Sequence, residues 1–280
     1  MLTSRANVRS PRTLEEALAA RANHPDGVIL AGGTDLMVQI EAGQLNPSHV
    51  IDLSGVGVLR GIQPRDGYTW IGALTTYTQL IHAPHLATEA PSLVEAARTC
   101  GALQIQNRGT LGGNIGNASP AGDTLPVLLS LDAVVELASA RRGLRLVPAE
   151  RFFVGYRALA MKPDEIITGV RIPQRHPGDL TGFRKVGTRA AQAISKVVMA
   201  ARLRFTADGI QQARIAFGSV APTPVRCPHV ERALEGGPLR PGAWAHLSED
   251  IAPIDDVRSS ARYRMQVATN VLRAWLESLG

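Results

Sequence analysis

Two glycine-rich segments hold the residue types in this chain best suited to chemistry, and the chemistry they suit is the holding of a phosphate. The first, Ala31-Gly32-Gly33-Thr34-Asp35, joins an apolar run, Val28–Ala31, to a stretch of helical character. Consecutive N–H groups in such a turn can face one concavity, and the helix N-terminus that follows adds partial positive charge. Taken alone the signal is weak, because a Gly-Gly turn before a helix is structural more often than not. It is neither a GxGxxG dinucleotide fingerprint nor a P-loop, since no Gly-Lys-Ser/Thr follows. The second segment, Thr110-Leu111-Gly112-Gly113-Asn114-Ile115-Gly116-Asn117, again offers backbone that another body can approach closely, with Thr110 and Asn114 as short side-chain donors. Ala118-Ser119-Pro120 then leads to Asp123, which reads either as the N-cap of the next helix or as a carboxylate beside a sugar hydroxyl.

The remaining inventory excludes more than it offers. The histidines, His24, His49, His82, His85, His176, His229 and His246, are dispersed without HExxH spacing and read as surface residues. No nucleophile–base pair appears, so no catalytic side chain and no metal site is assigned. Cys100 and Cys227 cannot supply the four thiolates of an iron–sulfur cluster and lie in no CxxC, so they read as plain thiols in a reducing compartment. The net charge of +6 comes from scattered basic residues, and aromatics are 4% of the chain. A nucleic-acid face gathers cations in a stripe with stacking rings, so this surface suits an acidic partner or an anionic cofactor instead. The apolar runs Val127–Leu131 and Ala133–Leu137 fall far short of the roughly 20 residues of a membrane span. Arg5, Arg9 and Arg12 interrupt any secretory segment, and the expected compartment is the cytoplasm.

The elements that must position these segments alternate. Thr13-Leu14-Glu15-Glu16 is a capping box opening a helix to about Arg21. Val28–Ala31 predicts a strand, Asp35–Ala42 a helix, Val50–Leu53 and Thr69–Gly72 two further strands. Thr75-Thr76 caps a helix over Tyr77–His82, and another covers Pro91–Cys100. Asn107–Asp123, rich in glycine, has no periodicity and reads as loop. Leu125–Leu131 predicts a buried helix and Val134–Leu137 a strand. After a linker at Gln174–Asp179, Val197–Phe205 and Ile210–Val220 form a hairpin about Ala207-Asp208-Gly209. Cys227–Leu234 and Arg258–Leu279 close the chain as helices, the second with Met265, Ala268, Leu272 and Leu276 along one side. The expected fold class is α+β. A two-part domain over 1–177, made of a small βαβ subdomain at 1–55 and a larger mixed α/β subdomain at 56–177, precedes a C-terminal domain at 178–280 with a sheet packed by helices.

Together the two glycine-rich segments resemble those of the FAD-binding medium subunit of the molybdenum hydroxylases, the family of carbon monoxide dehydrogenase and xanthine dehydrogenase. The first looks like that family's first flavin motif, and Asn107-Arg108-Gly109-Thr110-Leu111-Gly112-Gly113-Asn114 like its second. The likeness runs along the whole chain, through Trp70-Ile71-Gly72-Ala73-Leu74-Thr75-Thr76, Phe152-Phe153-Val154-Gly155-Tyr156-Arg157, Glu165-Ile166-Ile167, Gly218-Ser219-Val220-Ala221-Pro222-Thr223-Pro224-Val225-Arg226 and the run from Asp256 to Arg264.

The resemblance implies that residues 1–177 bind FAD. Ala31, Gly32, Gly33, Thr34 and Asp35, with Thr110, Gly112, Gly113 and Asn114, would wrap its pyrophosphate, and Ile29 and Leu30 would line the strand beneath. Asn117 and Asp123 would reach the ribityl and adenosine side, and Ile166 or Ile167 would press on the ring region. Lys185 would approach the isoalloxazine edge and favour the anionic reduced ring; as a residue type it reads as readily as a solvated surface lysine. Tyr156 reads as a core tyrosine in preference to a flavin-stacking one. Arg189-Ala190-Ala191-Gln192-Ala193 departs from the family in having no acidic residue, and Cys100-Gly101 stands where an aliphatic-Gly pair is usual. No cysteine-bearing insertion exists for an extra cluster.

The implied partners are a large subunit carrying the molybdenum–pterin centre and a small subunit carrying [2Fe–2S] clusters, in a dimer of heterotrimers. Electrons would pass from the clusters through FAD to an external acceptor: NAD+, a quinone or oxygen. The alternative reading is a stand-alone FAD-dependent oxidase or reductase acting on a small molecule, which needs an acid–base group over the ring. A third is a non-catalytic assembly protein whose glycine turns are structural.

Overall fold

The first helix begins where the capping box sets it. Thr13 Oγ1 accepts from the Glu16 N–H at 3.2 Å, and the Glu16 carboxylate accepts from the Thr13 N–H at 3.4 Å, so Leu14–Asn23 starts with its leading amides satisfied. This is a computed structural model describing residues 6–189 and 192–280; Arg5, and Ala190 and Ala191 of the segment lacking an acid, lie outside the described residues. The helix crosses between strands of a three-stranded parallel sheet, in which His49–Asp52 is central and Asn7–Arg9 and Val28–Leu30 flank it. Ala17 of the helix joins Ile51 and Leu53 in a small core that Leu74 and Ile166 of the following part also enter.

A five-stranded antiparallel sheet follows, in the order Ile62–Arg65, Tyr68–Gly72, Ile166–Pro173, Val134–Ser139, Gly143–Pro148. The helices Pro91–Thr99 and Thr124–Ser130 belong to the same core as this sheet. A four-stranded antiparallel sheet comes last, in the order Asp179–Val186, Val197–Thr206, Gly209–Gly218, Val225–Arg226. Its hairpin turns at Gly209, whose φ of +116° suits glycine.

The strand Val197–Thr206 is apolar on both faces because both are covered. Val198 and Ala200 join the large central core, while Val197, Met199, Ala201 and Leu203 join a second core with Ala268, Leu272 and Leu276 of the C-terminal helix. That helix spans Ala261–Glu277, not Arg258 onward. Ser260 caps it, and residues 256–259 close a separate turn through reciprocal Asp256–Ser259 backbone bonds. Met265 is only partly buried, and Arg264 is buried in its stead, donating to the Ser219 carbonyl at 2.6 Å.

The main correction falls on Asn107–Asp123. It is not a loop: the helix Leu103–Arg108 runs into its start and Leu111–Asn117 forms a second short helix. Glycine is a poor helix former, which hides this from a propensity reading. Close contact decides the matter, since a Cβ added at Gly112 would lie 2.6 Å from Ala73 Cβ. The fold class is α+β, as expected.

Candidate functional site

The strand Val28–Leu30 runs out into the turn at Ala31–Asp35, and Gly33 there takes a φ of +77°, a conformation that residues with a side chain rarely adopt. Among the described residues, no acceptor takes the N–H groups of Gly32, Gly33, Thr34 or Asp35. Asp35 stands at the head of the helix Leu36–Glu41, and its carboxylate accepts from the Gln39 side chain instead of capping the helix. The turn therefore presents a run of unspent backbone donors.

The second segment presents none of the kind at its start. Leu111 N–H donates to the Thr75 carbonyl at 3.0 Å, Gly112 N–H to the Ala73 carbonyl at 2.9 Å, and Gly113 N–H to Thr110 Oγ1 at 3.0 Å. Its small residues serve proximity. A Cβ added at Gly32 would lie 2.0 Å from the Arg108 carbonyl oxygen, so the first turn rests on the backbone that leads into the second helix. Two segments distant in sequence thus close on each other.

Between them opens a cavity of about 590 Å³. Ile29, Ala31, Gly32, Gly33, Thr34, Asp35, Thr110, Gly112, Gly113, Asn114, Asn117, Ile166 and Ile167 all line it. The helix side is open where it matters: the nearest atom to a Cβ added at Gly116 is Ile167 Cδ1, at 3.7 Å. The Asn114 carbonyl oxygen accepts from Thr124 Oγ1 at 2.6 Å, which fixes the amide's orientation.

Three residues singled out in the sequence do not line the cavity. Leu30 alternates with Ile29 along the strand and packs behind the turn, its Cδ1 3.3 Å from where a Cβ on Gly33 would stand. Asp123 and Lys185 bind each other at 2.6 Å in the interior, with the ammonium also donating to the Thr99 carbonyl at 2.9 Å and Ser195 Oγ to the carboxylate at 2.5 Å. Asp123 makes no capping bond, and Lys185 is no solvated surface lysine. Burial pushes the Asp123 carboxyl up; the Lys185 charge and the bonds from Lys185 and Ser195 pull it down without cancelling the rise. The pair lies one layer behind the wall. Tyr77 lines the cavity, Cys100 adjoins Tyr77, and Cys100 Sγ is 3.9 Å from Asp123. Burial, with Cys100 and Asp123 beside it, holds the Tyr77 phenol well above its ordinary value.

Tyr156 is 67% exposed and not in the core. Phe153 takes the buried place, and Arg157, at φ +51°, turns the hairpin outward. The histidines keep away from the cavity. His24 stacks on His49 at 4.0 Å, His85 bonds Thr69 at 2.8 Å and His229 bonds Asp250 at 2.7 Å. Among the described residues, no cluster of His, Cys, Asp or Glu can hold a metal ion, and both cysteines are buried free thiols. No helix of the described residues is long and apolar enough to cross a membrane.

Cations line the cavity that sequence reasoning did not assign: Arg21, Arg157 and Lys162, against the acids Asp35 and Glu165. Burial alone would raise the Glu165 carboxyl, but bonds from Arg145 at 2.7 Å and from the Lys162 N–H at 2.6 Å hold it below its usual range. Arg145 thus neutralises Glu165 from behind, leaving the lining net positive. Arg157 donates to Asn117 Oδ1 at 3.0 Å. Arg21 closes the first helix and Arg157 ends an aromatic run, but neither position marks a ligand without the fold.

Comparison with known proteins gives concordant results. A family model described as the FAD binding domain in molybdopterin dehydrogenase matches residues 4–175, and one described as the CO dehydrogenase flavoprotein C-terminal domain matches residues 183–279. The chain is 34% identical over 270 residues to a xanthine dehydrogenase FAD-binding subunit of Escherichia coli O157:H7, covering 94% of this chain and 91% of that protein. It is 32% identical over 277 residues to the nicotine 6-hydroxylase medium subunit of Paenarthrobacter nicotinovorans, covering 97% and 96%. A chain of carbon monoxide dehydrogenase from Hydrogenophaga pseudoflava, in a structure lacking the Mo-pyranopterin moiety, superposes with a TM-score of 0.93 at 28% identity, covering 98% of this chain and 96% of that one.

Proposed function

This chain belongs to the family of FAD-binding medium subunits of the molybdopterin dehydrogenases, which are oxidoreductases, and from that premise we propose that it is the electron-transferring flavoprotein of a molybdenum hydroxylase complex. The observation that carries this reading is the run of unspent amides at Gly32–Asp35, facing a cavity with net positive lining. A diphosphate is the anion such a place fits. The cavity volume is also within the range of about 300–1,000 Å³ usual for cofactor sites.

Ala31, Gly32, Gly33, Thr34 and Asp35 hold the pyrophosphate in this reading, and Thr110, Gly112, Gly113 and Asn114 form the facing wall. Ile29 and Leu30 form the strand beneath, Asn117 serves the ribityl and adenosine side, Asp123 acts on the ribityl part from behind the wall through its pairing with Lys185, and Ile166 or Ile167 bears on the ring. Lys185 acts through its charge from behind Tyr77, and so depends on its pairing with Asp123. Bound FAD supplies the redox chemistry, accepting single electrons and releasing one or two. The chain's own contribution is to bind, orient and exclude water.

The complex proposed contains a large molybdenum–pterin subunit and a small [2Fe–2S] subunit, assembled as a dimer of heterotrimers in the cytoplasm. Electrons leave for NAD+, a quinone or oxygen. The division at 1–55, 56–177 and 178–280 belongs to the same proposal and is supported by the sheets, none of which crosses a boundary: the three-stranded sheet falls in the first part, the five-stranded sheet and a two-stranded one at 153–159 in the second, and the four-stranded sheet in the third. The test is purification of the native complex followed by flavin, iron and molybdenum analysis. Flavin on this chain, with iron and molybdenum on co-purifying chains, is the expected result. A fully assembled complex without bound flavin overturns it.

A further inference from the structure

Arg21 lines the cavity and holds a buried donor without a partner. Its Nη1 donates to the Gly27 carbonyl, which pins the guanidinium beside the start of the strand Val28–Leu30. Its Nε is sealed from solvent with no partner, and among the described residues no acceptor takes Nη2. Arginine carries donors only, and a desolvated donor left unpaired is costly. Burial lowers its affinity for the proton, with Asp164 and Asp26 opposing from outside direct contact. A half-buried guanidinium lining a cavity with spare donors is a site waiting for an acceptor.

That acceptor is not the group held at the glycine turn. At roughly 3.3 Å per residue, Val28–Ala31 separates the guanidinium from Gly32 by on the order of 13 Å. Tyr77 of the cavity wall backs, through Cys100 and Asp123, on to Lys185, the residue set at the isoalloxazine edge in the proposed function. With the ring placed at that wall, the adenosine falls to Arg21. Apolar lining lies beside it, as a flat base requires: Val28 and Ile29 follow the Gly27 whose carbonyl holds Arg21, and Pro163 precedes Asp164, whose charge Arg21 feels. Adenine ring nitrogens and ribose oxygens are acceptors, the complement of a guanidinium edge.

We propose that Arg21 recognises the adenosine half of FAD, donating through Nη2 to an acceptor on the base or ribose, and that it sets the cavity's preference for a dinucleotide over a mononucleotide flavin. This rests on FAD being the ligand, and the experiment separates the two. The full-length chain, freed of flavin, is titrated with FAD, with FMN and with ADP, following flavin fluorescence and the competition of ADP against FAD. Wild type is expected to bind FAD more tightly than FMN and to be competed by ADP.

Arg21→Met keeps the aliphatic stem and removes the donors. It is expected to weaken FAD by about 10- to 100-fold, the worth of a hydrogen bond to a charged group, to weaken ADP competition by the same factor and to leave FMN affinity unchanged. If the methionine variant does not fold, Arg21→Lys, which keeps the charge but not the planar fork, is expected to lose the same selectivity in part. Unchanged FAD affinity, or an equal loss for FAD and FMN, overturns the proposal. A wild-type chain that binds FAD and FMN equally overturns it while leaving the flavin reading intact. One that binds no flavin at all sinks that reading first.

Discussion

The two glycine-rich segments look alike on paper and behave oppositely in the fold. At Ala31–Asp35 glycine supplies a positive φ and leaves consecutive N–H groups free to face the cavity. At Thr110–Asn117 the backbone is helical, its leading amides are consumed by Thr75, Ala73 and Thr110, and its glycines let two chain segments touch. One presents donors; the other permits contact. Glycine content announces that backbone comes close to something, and only the hydrogen-bond inventory says whether that something is a ligand or the protein itself.

The sharpest way to break this contrast is at Gly33. Valine there must adopt a φ near +77° that β-branched residues avoid, with its Cβ 3.3 Å from both Leu30 Cδ1 and Met37 Cγ. FAD retention after desalting, read as the flavin-to-protein absorbance ratio, is expected to fall at least about 100-fold, because the donor run loses its geometry. Stoichiometric flavin on Gly33→Val would remove the first turn from the site.

Gly32→Ala tests the contact between the segments. The new methyl would sit 2.0 Å from a backbone oxygen, which cannot rotate away as a side chain can. A stability loss of about 3 kcal/mol, the upper end of ordinary overpacking, is expected in urea unfolding, accompanied by partial loss of flavin. An unchanged midpoint would mean that the two segments are not held together at that point.

The matched pair Thr34→Val and Thr110→Val comes next. Thr110 Oγ1 accepts from Gly113 N–H, so its loss is expected to cost about 1 kcal/mol, as helix caps do. Thr34 makes no such bond among the described residues, and its valine variant is expected to unfold like wild type within a few tenths of a kcal/mol. Equal losses at both positions would erase the contrast.

What the sequence made legible was local. The Thr13–Glu16 box, the turn at Ala207-Asp208-Gly209 and the strand-turn-helix around Gly33 are set by residues within a few positions of one another, and they fold as read. The helix Leu111–Asn117 escaped notice because its helical state depends on Ala73 and Thr75, not on its own propensities. Ile166–Pro173, central in its sheet, is defined by strands at 68–72 and 134–139, and its Gly169 is needed because Trp70 stands where a Cβ would go. The Asp123–Lys185 pair joins residues 62 positions apart, so each was read singly, as a cap or a ligand contact and as a surface or flavin-edge lysine. Arg21 and Lys162 reach the cavity from a helix end and a turn whose sequences say nothing of it.

The smallest expected effect lies at Gly116, and it separates stability from binding. This residue is helical and exposed, and an added Cβ meets nothing nearer than Ile167 Cδ1 at 3.7 Å. Alanine there should raise unfolding stability by about 0.5–1 kcal/mol, because glycine in a helix leaves more backbone freedom in the unfolded chain. The same methyl enters the cavity on the side facing the donor turn, so FAD affinity should fall a few-fold while stability rises. Opposite signs from one methyl group are what a wall produces: a surface that limits the space for the ligand without supplying its bonds. If Gly116→Ala instead lowered stability and binding together, the second segment would be part of the binding machinery in the same sense as the first, and the contrast between them would fail.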